Sequence, residues 1–505
     1  MDDFPRITRQ IQELEQALQE YGGVRCLTYQ GIPAWPLIKI RIRKHLLHPH
    51  FNVLNRELAR KGDTPETGLA SYLLRTFTLD PDSNPSQAQA EHLKEMTRLE
   101  GLEQRDLFFL SRPRQHAPLL GTHLVPQIDG LIHLLEPEFS AHKGELVLQQ
   151  EHLNQQRLVP TLFLQVRPFL TAAYHDALQQ EDHKIDGFSQ LMDAMQRVGG
   201  DVFFTERSMA NILSEHLLFT EYFKQVLTAL KPKAVFQVCF HYATGMALNA
   251  AAHAMKIPCI DIQHGTIDNE PAYLGWQGAP PSGWPQLPSF FWAWGKAFAE
   301  PIAKGLDAPG PHRVVTGGNP WIVWWRDSAP ELDITDMPDM GSTLLFTLDP
   351  IENPIPEHVV RAMQELGADW NWLLRPHPLW RDRIPELECV LAQAGVANAH
   401  MDGPAMAPLP ALFERVDAHI TCSSSSCYEA LAHGLRTAIV HERGFHQHRR
   451  FIDQGVFWHA PDTDSLVRFL RHPAPFPSEA AMVIQDFDKD KAVDLVKLLI
   501  SERPR

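Results

Sequence analysis

Apolar runs and helix-spaced segments alternate along most of this chain. AVFQVCF (234–240), ATGMALNAAAHAM (243–255) and IPCIDIQHG (257–265) read in turn as strand, helix and strand, a parallel βαβ unit. Upstream, DLFFLSRP (106–113) and LVPTLFLQV (158–166) read as strands, and SEHLLFTEYFKQVLTAL (214–230) as an amphipathic helix stopped by Lys231-Pro232-Lys233. FFWAWG (290–295) and HRVVTGGNP (312–320) extend the series. A second series opens at STLLFTLDP (342–350) and runs through EHVVRAMQEL, WNWLLRPHPLW (370–380), a helix near 386–394, RVDAHITCSSSSCYEALAHGLRTAIV (415–440), FIDQGVFWHA and DSLVRFLRH. No internal repeat of fixed period is present beyond these two halves.

At the start, Ile7, Ile11, Leu14 and Leu18 share one face of a helix over 4–21 that stops at Gly22-Gly23, and Trp35-Pro36 opens a second helix. Residues 60–92 are polar and contain PDSNPSQAQ, which predicts a loop or poorly ordered insert. The acidic, proline-bearing stretch 327–341 reads as part of an interdomain linker. The expected layout is an N-terminal acceptor-side domain over 1–325 with a helical extension, a donor-binding domain over 326–480, and a helix over 481–505 that crosses back to the first domain.

A balance of 46 basic against 61 acidic residues, net −15, argues against general nucleic-acid binding. KIRIRKHLLHPH (39–50) is the basic exception, read as a solvated helix face or a contact with a membrane surface or anionic acceptor. The six cysteines (Cys26, Cys239, Cys259, Cys389, Cys422, Cys427) lack metal-ligand spacing, so a reducing compartment is expected. MDDFPRITRQIQELEQ has no apolar signal region, and no stretch reaches about 18 apolar residues. The expectation is a cytoplasmic protein, with peripheral contact at the inner membrane left open.

Candidate chemistry gathers at two strand ends of the second series. Ser423, Ser424, Ser425 and Ser426 lie between an apolar strand and the helix CYEALAHG, where hydroxyls, amides and the helix dipole suit a phosphate. Glu429 completes either a capping box or a contact to a ribose. Arg375-Pro376-His377-Pro378 ends another strand, its prolines holding Arg375 and His377 at the carboxyl end. Asp349 ends the first strand of the series. In the first half, His264, Asp261 and Asp268 surround the turn after IPCIDIQHG and are candidate bases, with His241 a weaker one. Trp276, Trp284, Trp321, Trp324 and Trp325 could stack on a sugar, although packing between domains is the commoner use.

Gln263-His264-Gly265, Gly318-Asn319-Pro320, Arg375-Pro376-His377-Pro378 and the serine run followed by Tyr428-Glu429-Ala430 and Gly434 together resemble bacterial GT-B capsule and surface-polysaccharide enzymes. The nearest of these are the Kdo transferases and sialyltransferases that use CMP-activated sugars. The likeness covers about 234–445. It implies an α/β, GT-B-like fold of two Rossmann-like doubly wound domains facing a central cleft. It also implies a metal-independent glycosyltransferase moving a CMP-activated sugar acid to a glycan, lipid-linked glycan or protein acceptor. The donor nucleotide would meet His377, Pro378 and Ser423 to Ser426, with no separate cofactor. The chain lacks the acidic D/E-D/E-G motif that holds the sialyltransferase base, and the nearest acids are Asp261 and Asp268. CDP-glycerol-type phosphotransferases share the HP and serine pair. A UDP-sugar epimerase-like enzyme and a non-catalytic glycan-assembly scaffold are the other readings.

Overall fold

The computed structural model describes residues 4–47, 68–112, 117–119, 121–136, 138–147, 156–179, 184–199, 204–267, 270–328, 341–351, 353–401, 407–472, 476 and 478–502. The chain groups into two compact units, one of Asp3–Ala293, Phe298–Trp321 and Phe487–Arg505, the other mainly Ile322–Asp486 with Trp294–Ala297. The sequence placed the main boundary after residue 325; the grouping has a short excursion at Trp294–Ala297 and its main crossing after Trp321. Most of the linker stretch 327–341 lies outside the described residues.

We label the strands of the two parallel sheets in chain order. The first unit contributes β1 (Leu107–Ser111), β2 (Ala141–Val147), β3 (Thr161–Gln165), β4 (Ala234–Val238), β5 (Cys259–Ile262), β6 (Phe290–Ala293) and β7 (Arg313–Thr316). Their order across the sheet is β7-β6-β5-β4-β1-β2-β3, parallel throughout. The second unit contributes β8 (Thr343–Thr347), β9 (Asn371–Arg375), β10 (Ala399–His400), β11 (Ala418–Thr421), β12 (Thr437–Ile439) and β13 (Trp458–His459), ordered β10-β9-β8-β11-β12-β13 and again parallel. Counted within each unit, both orders begin 3-2-1-4-5-6, the doubly wound Rossmann order. Each sheet therefore has a switch point where the winding reverses, between β1 and β4 and between β8 and β11. The fold is GT-B-like, in line with the sequence.

The apolar runs follow from burial on both sheet faces. Along β8, Leu344 and Phe346 join Trp372, Leu374 and Ile420 on one side, while Leu345 joins Leu373, Leu412 and Phe413 on the other. In the first unit, Phe108, Leu110, Val235 and Cys259 pack beneath Phe219, Phe223 and Leu227 of the long Glu206–Leu230 helix. The Lys489–Ser501 helix belongs to this unit, where it packs beside Pro126–Leu135 with Ala492, Val493, Val496 and Leu499 buried.

Two sequence expectations are corrected. The polar stretch read as a loop holds two helices, Leu69–Thr76 and Pro85–Glu100. Asn84 caps the second by accepting from the amides of Ser86 (2.9 Å) and Gln87 (3.3 Å), with Pro85 at its first position. The basic segment after residue 39 is only in part a solvated face over its described residues: Lys44 is exposed, but Lys39 and Arg43 are held by partners within the first unit. Lys39, on the Trp35–Leu47 helix, is 1% exposed; it pairs with Glu15 (3.1 Å), donates to the carbonyls of Leu274 (3.0 Å) and Gly275, and lies 4.2 Å from the Trp276 ring centre. Arg43 grips Glu270 in a two-point ion pair. Lys39 and Arg43 thus point into the first unit, where the partly buried Glu15 and the buried Glu270 neutralise them. Among the described residues, no helix is long and apolar enough to cross a membrane.

Candidate functional site

At the carboxyl end of β8, Asp349 is buried, and its Oδ2 accepts the Ser423 N–H at 2.6 Å. This bond ties the end of β8 to the end of β11 across the switch point, where open α/β sheets bind ligands. Burial raises the Asp349 carboxyl above its ordinary range, opposed by the Ser423 hydrogen bonds and by the nearby charges of Arg443 and His377. His377, half-buried, is held below the usual imidazole range by burial, with Asp349 pulling the other way. The Asp349 carboxyl thus lies within electrostatic reach of the His377 imidazole and the Arg443 guanidinium, beside the serine loop.

The four serines divide by role. Ser423 and Ser426 are buried, and Ser424 and Ser425 are partly exposed. The Ser426 hydroxyl belongs to a buried chain: 2.8 Å to Thr347 Oγ1, which lies 2.9 Å from His419 Nε2, whose Nδ1 lies 3.1 Å from Thr437 Oγ1. The Ser424 amide donates to Thr421 Oγ1 (3.2 Å), and the Ser426 amide to Ser424 Oγ (3.3 Å). Among the described residues only the Ser425 amide of this loop is left without a partner. Ser423 and Ser426 therefore set the loop, and Ser424 and Ser425 are the two a ligand can reach.

No side chain caps the Ser426–Ala432 helix, so Glu429 forms no capping box, which corrects that half of the expectation. Among the described residues its carboxyl has no hydrogen-bond partner, and burial pushes it up to about 7. Arg375 ends β9 as predicted, but one arm of its guanidinium donates to the Ala407 carbonyl and holds that loop. Pro378 begins a short 3-10 segment, Pro378–Arg383.

Arg443 was missed by the sequence reading. It lies on Glu442–Gln447, just past β12, so HERG occupies the strand end next to the serine loop. Gly444 lets the two approach: a Cβ there would sit 1.9 Å from the Cys422 carbonyl oxygen. Gly444→Ala is expected to cost about 1–3 kcal/mol and to shift the serine loop. Chemical denaturation, with the fluorescence of Trp458 on neighbouring β13 as a reporter, checks both.

The first-half candidates lie at the other switch point. Asp261 on β5 is 1% exposed; Oδ1 accepts from the Phe240 amide (2.8 Å) and Oδ2 from the Tyr273 hydroxyl (3.1 Å). Burial lifts its carboxyl to about 7. The His264 Nε2 lies 2.9 Å from the Cys239 Sγ, and burial with Arg112 and Arg43 nearby lowers the imidazole to about 4. Asp268 lies outside the described residues. The five tryptophans are 1–6% exposed, which removes them as open sugar platforms. Asn319 Oδ1 accepts from the Trp321 amide (3.1 Å) and shapes the turn before that helix. Among the described residues, no group of three or more His, Cys, Asp or Glu is placed to hold a metal ion.

The Asp261 carboxyl gives a pH signature. Folded, it keeps its proton to about pH 7, whereas unfolded it releases it near 4. Between these values the folded state binds more protons, so this group lowers stability as pH rises. Asp261→Asn is expected to lose that dependence, so its melting temperature should gain on the wild type between pH 5 and pH 7.5. Paired thermal melts check the sign.

No protein-family model matches the chain. No curated protein matches it either. Solved structures similar to it include the Neisseria meningitidis UDP-GlcNAc 2-epimerase bound to UDP-GlcNAc (11% identity, 79% of this chain and 100% of that one, TM-score 0.49). Others are Staphylococcus aureus MnaA with UDP (11%, 79% and 99%, 0.46) and Acinetobacter baumannii MurG (13%, 78% and 99%, 0.43). At such identities the likeness concerns the course of the chain alone.

Proposed function

We propose that this chain is a sugar-nucleotide enzyme whose second unit holds the nucleotide phosphate at the β8/β11 switch point. The observation that carries the reading is the Asp349–Ser423 bond with His377 and Arg443 beside it. Asp349 fixes the loop, Ser424 and Ser425 offer hydroxyls, and Arg443 and His377 supply charge and a hydrogen bond to a departing phosphate. The specific form proposed is transfer of a CMP-activated sugar acid to a hydroxyl acceptor, supported by the paired His377-Pro378 and serine motifs.

One observation favours a second reading, rearrangement of a UDP-sugar itself. Transfer needs a base for the acceptor hydroxyl, but both Asp261 oxygens are hydrogen-bonded, and an imidazole lowered to about 4 is a weak base. Glu429, near 7, is the better-tuned acid–base group, and it sits on the nucleotide-binding unit. In the first reading Glu429 contacts the ribose hydroxyls instead. Glu429→Gln separates the two: weaker nucleotide binding supports the ribose contact, and intact binding with lost turnover supports acid–base work.

Thermal stability in the presence of CMP, CDP and UDP tests the whole reading. A ligand at a hundredfold excess over its Kd stabilises the folded state by about 2.7 kcal/mol. The preferred nucleotide should raise the melting temperature of the wild type, and His377→Ala should weaken that rise. No response to any of the three overturns the reading and leaves a non-catalytic scaffold.

A further inference from the structure

We propose that the first unit has its own oxyanion site, where Arg112 lies over the open first turn of the Ala243–Ala254 helix and binds a phosphate or carboxylate of the molecule that this unit takes. Arg112 immediately follows β1, and the helix follows β4, so both belong to the switch point of the first sheet. A Cβ on Gly245, the third residue of the helix, would sit 3.0 Å from Arg112 Nη2, so the absent side chain leaves the guanidinium its place.

Three features point to a missing anion. First, a cation rests where the helix dipole is positive, the reverse of the usual pairing. Second, Tyr242 at the helix cap makes no side-chain cap bond, and among the described residues the amides of Ala243, Thr244 and Gly245 have no partner. Third, Arg112 lacks a counter-ion among the described residues. Among the described residues its one hydrogen bond is a long 3.4 Å contact to the Cys239 carbonyl, and its guanidinium lies 4.1 Å from the ring centre of Tyr242, which is 53% exposed. Glu270 is gripped by Arg43, and Asp261 has both oxygens engaged and keeps its proton to about 7. His241 adds a buried Nδ1 without a partner.

Guanidinium donors and free amides together match an oxyanion in two-point geometry. The exposed Tyr242 ring at the rim suits an anion carried on a sugar, whose face could lie against it. The inference stands apart from the nucleotide reading, since it concerns the other unit.

Thermal melts at fixed ionic strength test it, with inorganic phosphate, glucose 1-phosphate and glucuronate as probes. The wild type should be stabilised by phosphate, and more at equal concentration by whichever sugar probe carries the right anion. Glucose 1-phosphate ahead of glucuronate assigns a phosphate, and the reverse a carboxylate. In the His377→Ala background, which weakens the phosphate site proposed on the second unit, phosphate should still stabilise the chain. Adding Arg112→Gln should abolish that response while melting no lower without ligand, because it removes a cation from a positive site. No stabilisation of His377→Ala, or a response in that background that survives Arg112→Gln, overturns the inference. Should Arg112→Gln fail to fold, Arg112→Lys decides: keeping charge but not the fork, it should need about fivefold more phosphate, and an unchanged midpoint overturns the inference. A nucleotide response absent beside an Arg112-dependent phosphate response would sink the proposed function and leave this site standing.

Discussion

Lys143→Met is expected to lower the stability of the first unit by about 3–5 kcal/mol. Lys143 on β2 and Asp129 on the Pro126–Leu135 helix are both fully buried, 2.6 Å apart. Removing the lysine strands the Asp129 carboxylate in an apolar interior without its cation, where neutral donors such as the Val125 amide (2.9 Å) do not replace the lost charge. Water cannot reach the site to compensate. The double variant Lys143→Met/Asp129→Leu should recover most of the loss, since the penalty belongs to the unpaired charge. Denaturant titration of the wild type, both single variants and the double closes this cycle. A single variant as stable as the wild type would show that the pair is neutral in the fold.

Asp349→Ala should have the largest effect on ligand binding. The variant leaves the Ser423 N–H buried without its acceptor and frees the serine loop from β8. A hydrogen bond to a carboxylate contributes roughly 1.5–3 kcal/mol, which corresponds to about 10- to 150-fold in affinity if the loop must be reordered by the ligand. Asp349→Asn keeps an oxygen acceptor and should lose much less. Calorimetric titration with the preferred nucleotide distinguishes them. Equal affinity in Asp349→Ala and wild type would remove Asp349 from the nucleotide site.

The strands were legible because parallel strands covered on both faces become uninterrupted apolar runs, as in Leu107–Ser111 and Ala234–Val238. Their order across the sheets was not, since nothing local tells β4 that its neighbour is β1. The helix Pro85–Glu100 is hidden in the sequence because Asn84-Pro85 reads as a loop signal, whereas in the fold it marks a capped start. The cationic helix after Trp35 was misread for a related reason. Charge suggests solvent unless its partner is known, and Glu15, Glu270 and the carbonyls of Leu274 and Gly275 are remote in sequence or lack a motif. In the site, Asp349, His377 and the serine run were legible as polar residues ending apolar strands. Arg443 and Arg112 were not, because each acts through neighbours that only the strand order brings near.

The return of Lys489–Ser501 to the first unit has a consequence for synthesis. Nearly all of the second unit, Ile322–Asp486, is inserted ahead of the last segment of the first, so a ribosome completes it before it delivers the helix that packs beside Pro126–Leu135. Nascent chains would carry a finished insert and an unfinished host, with the buried face of that helix pair bare until the final turns emerge. Chaperone dependence during translation is then expected to fall on the earlier-made half.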